Sequence, residues 1–417
     1  MKQHFKKILV WLVFAGFLLT ASCSKNTVKI LEEDKDLPSE NDVVGKVVVG
    51  YQGWFACPGD GSPANRWWHW GKAPNPGVEI WPDMREYTQT YHSGFANLGN
   101  GQPANLFSNY DNSTVQTHFN WMKENGIDCA ALQRFGAEFG DYVFKNHRDS
   151  ILSKVKTAAE HAGVKFYVMY DMSGWTDFQT ALKDDWTNTV VGNLNVTSSA
   201  AYARQDGKPV VCIWGFGVGG NPGNASAYAD VISWFKQHGC YVIIGVDRSW
   251  RTDASNYSAF ITADMISPWT VGSYKYDVEI DDYYTNRVSK DLDSCNAHGV
   301  SFQPVIFPGF AWSNWRDSPQ NDFPRKHGDF MWRQFAKIRE NNIPNVYIAM
   351  FDEYNEGTAI AKAAEDASMI PTDHYFLTLD ADGVHCSSDF YLRLTNDGGK
   401  MIKGVTPLVW AHPTSHL

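Results

Sequence analysis

Positive charge is scarce in this chain: 36 Lys and Arg stand against 46 Asp and Glu, a net charge of −10 at pH 7. Such a chain lacks the basic footprint that nucleic acid requires, and it disfavours polyanionic partners. No CxxC or Cys/His spacing is present, and His69, His92, His118 and His147 are scattered, so neither a metal nor a cofactor is expected. A Gly-x-Ser-x-Gly elbow is missing, which leaves a serine hydrolase without a nucleophile at a strand-to-helix turn. Short acidic loops such as Asp111-Asn112-Ser113 resemble calcium ligands, but clusters of that kind ordinarily make turns.

Long hydrophobic runs are also lacking. The apolar stretch from Ile8 to Leu19 is too short for a comfortable membrane span. Lys2, Lys6 and Lys7 precede it and Thr20-Ala21-Ser22-Cys23 follows, a pattern that resembles a bacterial lipoprotein signal. Thr20 stands where such signals usually carry Leu, with Leu19 one place earlier. Residues 1–22 are expected to be a signal peptide and Cys23 the lipidated residue, with ordinary secretion as the alternative. Residues 23–44, polar and charged, are expected to tether a single domain at 45–417. The protein is then expected in the cell envelope, a monomer that touches the membrane only by its lipid. Of the other cysteines, Cys129, Cys212 and Cys240 lie in apolar runs and are expected to act as small buried hydrophobes.

What the chain has in quantity is aromatic residues: 17 Trp, 19 Tyr and 24 Phe. A large core uses many of them. The loop clusters Trp67-Trp68-His69-Trp70, Trp81, and Trp312 with Trp315 suit the flat faces and hydroxyl rims of sugars instead.

Short apolar runs alternate with helical patterns from Lys46 onward. Strands are predicted at 47–51, 129–133, 166–170, 210–214, 242–246, 263–266, 302–306 and 346–350, and helices at 115–125, 142–162, 227–238 and 330–341. Eight βα units predict an α/β fold, a (β/α)8 TIM barrel with long βα loops. The helices of the fifth-to-sixth and sixth-to-seventh connections are the weakest. An open doubly wound sheet is the alternative, but the turn Tyr51-Gln52-Gly53-Trp54 is not the Gly-rich phosphate turn that fold carries.

Barrel chemistry sits where strands end and βα loops begin. Those positions carry Tyr51, Gln52 and Trp54; Gln133, Arg134 and Phe135; Asp171; Trp214; Asp247; Trp269; Phe310 and Trp312; and Asp352, Glu353 and Glu356. Carboxylates at the end of an apolar strand are costly to bury unless paired or used. Glycoside cleavage uses two carboxyl groups in different environments, and Glu353 with Glu356 are the candidate pair. The bland alternative has one of them capping a helix or pairing with Arg325 or Arg251.

The stretch Phe351-Asp352-Glu353-Tyr354-Asn355-Glu356-Gly357-Thr358 resembles the NEWHEGT signature of glycoside hydrolase family 99, with relatives in family 71. Residues 115–128, the stretch Pro304-Val305-Ile306-Phe307-Pro308-Gly309-Phe310, and Arg325 with Gly328 resemble the family in the same order. The resemblance implies a retaining endo-α-mannosidase in which Glu353 deprotonates the sugar 2-hydroxyl and Glu356 protonates the leaving oxygen. Tyr51, Trp54, Gln133, Arg134, Asp171, Trp214, Asp247, Trp269, Phe310 and Trp312 are expected to bind an oligo- or polysaccharide. Departures fall on the substrate shell: Gln133-Arg134-Phe135 and Ile213-Trp214-Gly215-Phe216 replace other aromatics, Phe310 replaces Tyr, and Tyr354-Asn355 replace Trp-His. Other readings are an inverting α-glucanase, a xylosidase/arabinosidase-like activity, and a carbohydrate-binding lipoprotein without catalysis.

Overall fold

A computed structural model describes residues 41–417. The signal segment, Cys23 and most of the expected tether lie outside the described residues. Residues 41–44, placed in the tether by sequence, belong to the domain. Asn41 forms a bridge with Gln205, the Asp42 amide donates to the Arg204 carbonyl at 2.9 Å, and Val43 is fully buried.

Strands one to six are Val47–Tyr51, Cys129–Phe135, Lys165–Asp171, Lys208–Phe216, Tyr241–Asp247 and Met265–Trp269. Each pairs in parallel with the next. Strand seven is split into Ser301–Phe302, which pairs with strand six, and Val305–Ile306, which pairs with strand eight (Val346–Ile348). Pro304 interrupts it, since proline has no amide hydrogen for a ladder. Strand eight pairs back to strand one, with Val47 opposite Val346, and the ring closes through strand seven. The expected (β/α)8 barrel is the fold.

The helices are α1 (Asn112–Glu124), α2 (Tyr142–Ala162), α3 (Phe178–Asp184), α4 (Ala225–Gln237), α5 (Tyr257–Phe260), α6 (Asp277–Tyr283), α7 (Ser289–His298), α8 (Asp329–Glu340) and α9 (Phe390–Ile402). Helix α2 starts on Asp141, whose carboxylate accepts from the Val143 and Phe144 amides, and it stops on left-handed Gly163. The strands are almost wholly buried, as expected of parallel strands covered on both faces. Cys129, Cys212 and Cys240 are buried free thiols, as are Cys57, Cys295 and Cys386.

Candidate active site

The carboxyl ends of the strands surround a cavity of about 660 Å³. Side chains alternate along a strand, so residues two apart share a face. On strand two, Gln133 and Phe135 line the cavity. Phe135 pairs in register with Asp171 on strand three, and Asp171 with Trp214 on strand four, which sets three lining residues on one level. Trp214 packs edge-on against Trp269 of strand six, with ring centroids 5.2 Å apart. From the long loop after strand one come Gln52, Trp54, Trp68 and His69. Trp54 stacks on His69 at 3.6 Å and on Phe135 at 5.2 Å. Trp315, half exposed, stands at the mouth with Arg316 over its ring.

The segment after strand eight supplies the carboxylates. It folds into a closed loop: the Met350 amide donates to the Thr358 carbonyl, and the Ile360 amide to the Met350 carbonyl. Arg325, 3% exposed, donates to the Gly357 and Ala359 carbonyls at 2.9 and 2.7 Å. Gly357 has φ +64°, and a Cβ there would lie 3.1 Å from the Ala311 carbonyl, so this turn calls for glycine. Arg325 therefore holds the loop backbone, and Arg251 pairs with Asp291 at 2.8 Å. Neither arginine ion-pairs with the glutamates, against the arginine half of the bland alternative.

Within the loop each acidic group has its own environment. Asp352, fully buried, accepts from the Gln52 amide at 2.7 Å and the Gly53 amide at 2.9 Å. Burial still pushes it up to about 7. Glu353 accepts from Gln52 Nε2 at 2.8 Å and from the Asn355 amide at 3.1 Å. Burial raises it strongly, and the nearby charges of Glu356 and Asp352 add to the rise, while both donors work the other way. Glu356 is pushed up to about 7 by burial, with Arg316 opposing. The charge of Glu356 is among the causes that raise Glu353, so the two glutamates titrate as a pair. The Gln52 and Asn355 donors favour the ionised form of Glu353, whereas burial and the neighbouring Glu356 and Asp352 favour its protonated form. Across the cavity, burial lifts Asp171 to about 6, and His69 is held neutral by burial beside Arg148.

Six buried polar atoms on lining residues have no partner among the described residues: Gln52 Oε1, Trp54 Nε1, His69 Nε2, Trp214 Nε1, Asn355 Oδ1 and Thr358 Oγ1. Buried donors and acceptors are normally satisfied. A mixed set of this kind, framed by indole faces, matches a ligand that is both polyhydroxylated and flat-faced. Among the described residues no group of three His, Cys, Asp or Glu side chains is arranged to hold a metal ion.

Of the expected ligand residues, Trp54, Gln133, Asp171, Trp214 and Trp269 line the cavity with Glu353 and Glu356. Five do not. Tyr51 is fully buried behind strand one, its hydroxyl between His118 Nδ1 at 3.0 Å and Asn109 Nδ2 at 3.1 Å. Arg134 lies on the outer face of strand two because Gln133 and Phe135 take the inner one, and it pairs with Asp185 and Asp149. Asp247 turns back to accept from the Ser249 amide at 2.7 Å. Phe310 packs on Phe323, and Trp312 stands behind Trp315. In exchange, Gln52, Trp68, His69, Phe135, Ser173, Trp315, Met350, Asn355 and Thr358 join the lining. Five of these carried a signal in the sequence: Gln52 and Phe135 at strand ends, and Trp68, His69 and Trp315 among the loop aromatics suited to sugars.

No known family's profile matches the sequence, and a search of curated proteins finds no match. Solved structures do match. The GH99 endo-alpha-mannosidase from Bacteroides thetaiotaomicron in complex with BIS-TRIS-Propane aligns at a TM-score of 0.63 and 14% identity, over 87% of this chain and 98% of that one. A second structure of the GH99 endo-alpha-mannosidase from that organism gives 0.63 at 13% identity, with the same coverage. A glycoside hydrolase-like protein aligns at 0.54 and 14% identity, over 88% of this chain and 97% of its own. At these identities the likeness is one of fold: this chain shares the GH99-like barrel over nearly its whole described length.

Proposed function

We propose that the protein is a glycoside hydrolase that cleaves an α-linked glycan, with Glu353 as base and Glu356 as acid. The observation that carries the reading is the unequal treatment of two glutamates in one aromatic-lined cavity. Burial raises both, but Glu353 receives two hydrogen-bond donors that oppose the rise, whereas Glu356, pushed up to about 7, is opposed by the charge of Arg316. A carboxyl group protonated near neutrality is what a poor alkoxide leaving group needs. The sharing of a barrel with GH99 endo-α-mannosidases supports the reaction class.

The proposed course follows the family resemblance. Glu353 takes the proton of the sugar 2-hydroxyl, O2 bonds to C1, and the glycosidic bond breaks toward the leaving oxygen. That oxygen receives its proton from Glu356. Water then opens the 1,2-anhydro sugar at C1, giving its proton to Glu356 while Glu353 returns one to O2. This route is among the exceptions to the ordinary two-carboxylate scheme.

One observation favours a second reading. Asp171 is a third cavity carboxylate, lifted to about 6 on the wall of strand three. Were it the partner of one glutamate at a separation of roughly 6.5–9.5 Å, an inverting hydrolysis would follow. The anomer released first, read by proton NMR, separates the two.

The test of the enzyme itself is a screen of yeast mannan, α-glucans, xylans and arabinans beside Glu353→Gln and Glu356→Gln variants. General acid–base groups contribute on the order of 10²- to 10⁴-fold, and each variant should lose a factor in that range. Failure of the wild type to release product from any glycan, with binding unchanged in both variants, would leave only a carbohydrate-binding protein.

A further inference from the structure

Gln52 lines the cavity, is 5% exposed, and has a side chain whose two ends differ in state. Its Nε2 donates to Glu353 Oε2 at 2.8 Å, whereas its Oε1 is buried with no partner. The backbone beneath is held unusually firmly. Both Asp352 oxygens are used, one on the Gln52 amide and one on the Gly53 amide, and Arg148 Nη1 reaches the Gln52 carbonyl at 3.5 Å. Strand one and strand eight are thereby locked together at the one point where an amide side chain meets a carboxylate. A glutamine pinned at its backbone and at one end of its side chain has little freedom to turn.

From this geometry we propose that Gln52 is a positioning residue. It keeps the negative charge of the glutamate pair on Glu353 and offers its free Oε1 to a hydroxyl of the bound sugar. The inference rests on the hydrolase reading above and adds to it. An amide N–H toward Glu353 is more strongly attracted when Glu353 is ionised, so Gln52 opposes placing the shared proton on Glu353. The turned amide would set Oε1 against the carboxylate and repel it. With Nε2 committed, Oε1 accepts, and a sugar hydroxyl would supply the donor that no described protein group gives it. Other charged groups around Glu353 are Asp352 and Glu356 on its own loop, Asp171 from strand three, Arg148 from α2 and Arg316 after strand seven; His69 is neutral. None of the cations among these hydrogen-bonds to Glu353, so the Gln52 amide is the side-chain donor that decides.

The test is Gln52→Met, of similar length and unable to donate, in the full chain. Glutamate labelled with carbon-13 at Cδ reports the titration of the pair directly, assigned with Glu353→Gln. Losing a charge-assisted hydrogen bond should raise the first deprotonation of the pair by about one pH unit. In the pH profile of kcat/KM, on whichever of the screened glycans is cleaved, the acidic limb should move up equally, with roughly a 10-fold loss below it. KM should rise as well, because the Oε1 acceptor is gone. A merely structural role would lower Tm without moving the titration. Gln52→Asn, which withdraws the amide by one methylene, should show the same upward shift if Gln52→Met does not fold. A folded variant that titrates as the wild type overturns the proposal, even if mannan or another glycan is cleaved. A shifted titration with no glycan cleaved would instead uphold Gln52 and count against the hydrolase.

Discussion

Arg134 is 1% exposed, and its guanidinium donates to both oxygens of Asp185 and to Asp149 while lying over the Phe139 ring. Tyr170 adds a hydroxyl to Asp185 at 2.8 Å. Removing Arg134 leaves buried Asp185 with Lys145 alone as a cationic partner among the described residues, at 3.6 Å, and breaking a buried pair costs up to roughly 3–5 kcal/mol. Arg134→Met should therefore lower Tm markedly in a thermal melt, while KM of the protein that remains folded stays near wild type. A raised KM at unchanged Tm would return Arg134 to the substrate site. The residue types at strand ends were readable from sequence, and so was the candidate pair Glu353 and Glu356. Which face each neighbour takes was not always read: counting by two from Gln133 selects Phe135 and rejects Arg134.

At the scale of elements, the loop after strand one is strapped to the loop after strand eight. Asn355 Nδ2 donates to the His69 and Gly77 carbonyls, and the Glu79 and Ile80 amides donate to the Tyr354 carbonyl. The position that departs from the family's Trp-His thus carries a strap between loops. Asn355→Ala would leave two partly buried carbonyls without this donor, at a cost of up to about 1–3 kcal/mol. Limited proteolysis should then cut residues 69–77 faster, with KM several-fold higher, because His69 supports Trp54. Unchanged cleavage there would show the loop to be held by other contacts. Elsewhere the connection from strand six to strand seven holds more helix than the sequence pattern suggested. Its buried residues Ile280, Tyr284, Val288, Asp291 and Cys295 recur at helical spacing. Asp291, neutralised by Arg251, occupies one of those places and obscures the apolar stripe. By contrast α5 spans only Tyr257–Phe260, in keeping with the weak pattern between strands five and six.

Across the whole molecule, the closed barrel gathers Asp171, Asp352, Glu353 and Glu356 into one poorly solvated end, and burial raises all four. Carboxyl groups with raised values stabilise the fold while protonated, and that contribution is lost as pH rises through the folded value. For Glu356 the window runs from its ordinary value near 4.5 to about 7. Glu356→Gln should thus raise Tm relative to wild type at pH 8 and much less at pH 5. Activity carries the same sign, since an acid that must hold its proton gives kcat/KM an alkaline limb near pH 7. Melts and a pH profile check both, and an activity still rising above pH 8 would remove Glu356 from the acid role.

Local patterns determined eight strands and four of the helices, with them the expectation of a barrel, and the acidic segment at the end of strand eight. Those features are written in short-range periodicity and in the cost of burying charge, which a linear chain displays. Tertiary structure decided the rest. Gln52 meets Glu353 across 301 positions of sequence, and Asn355 meets His69 across 286. Contacts of that span leave no periodic trace, and they are what make one glutamate unlike the other.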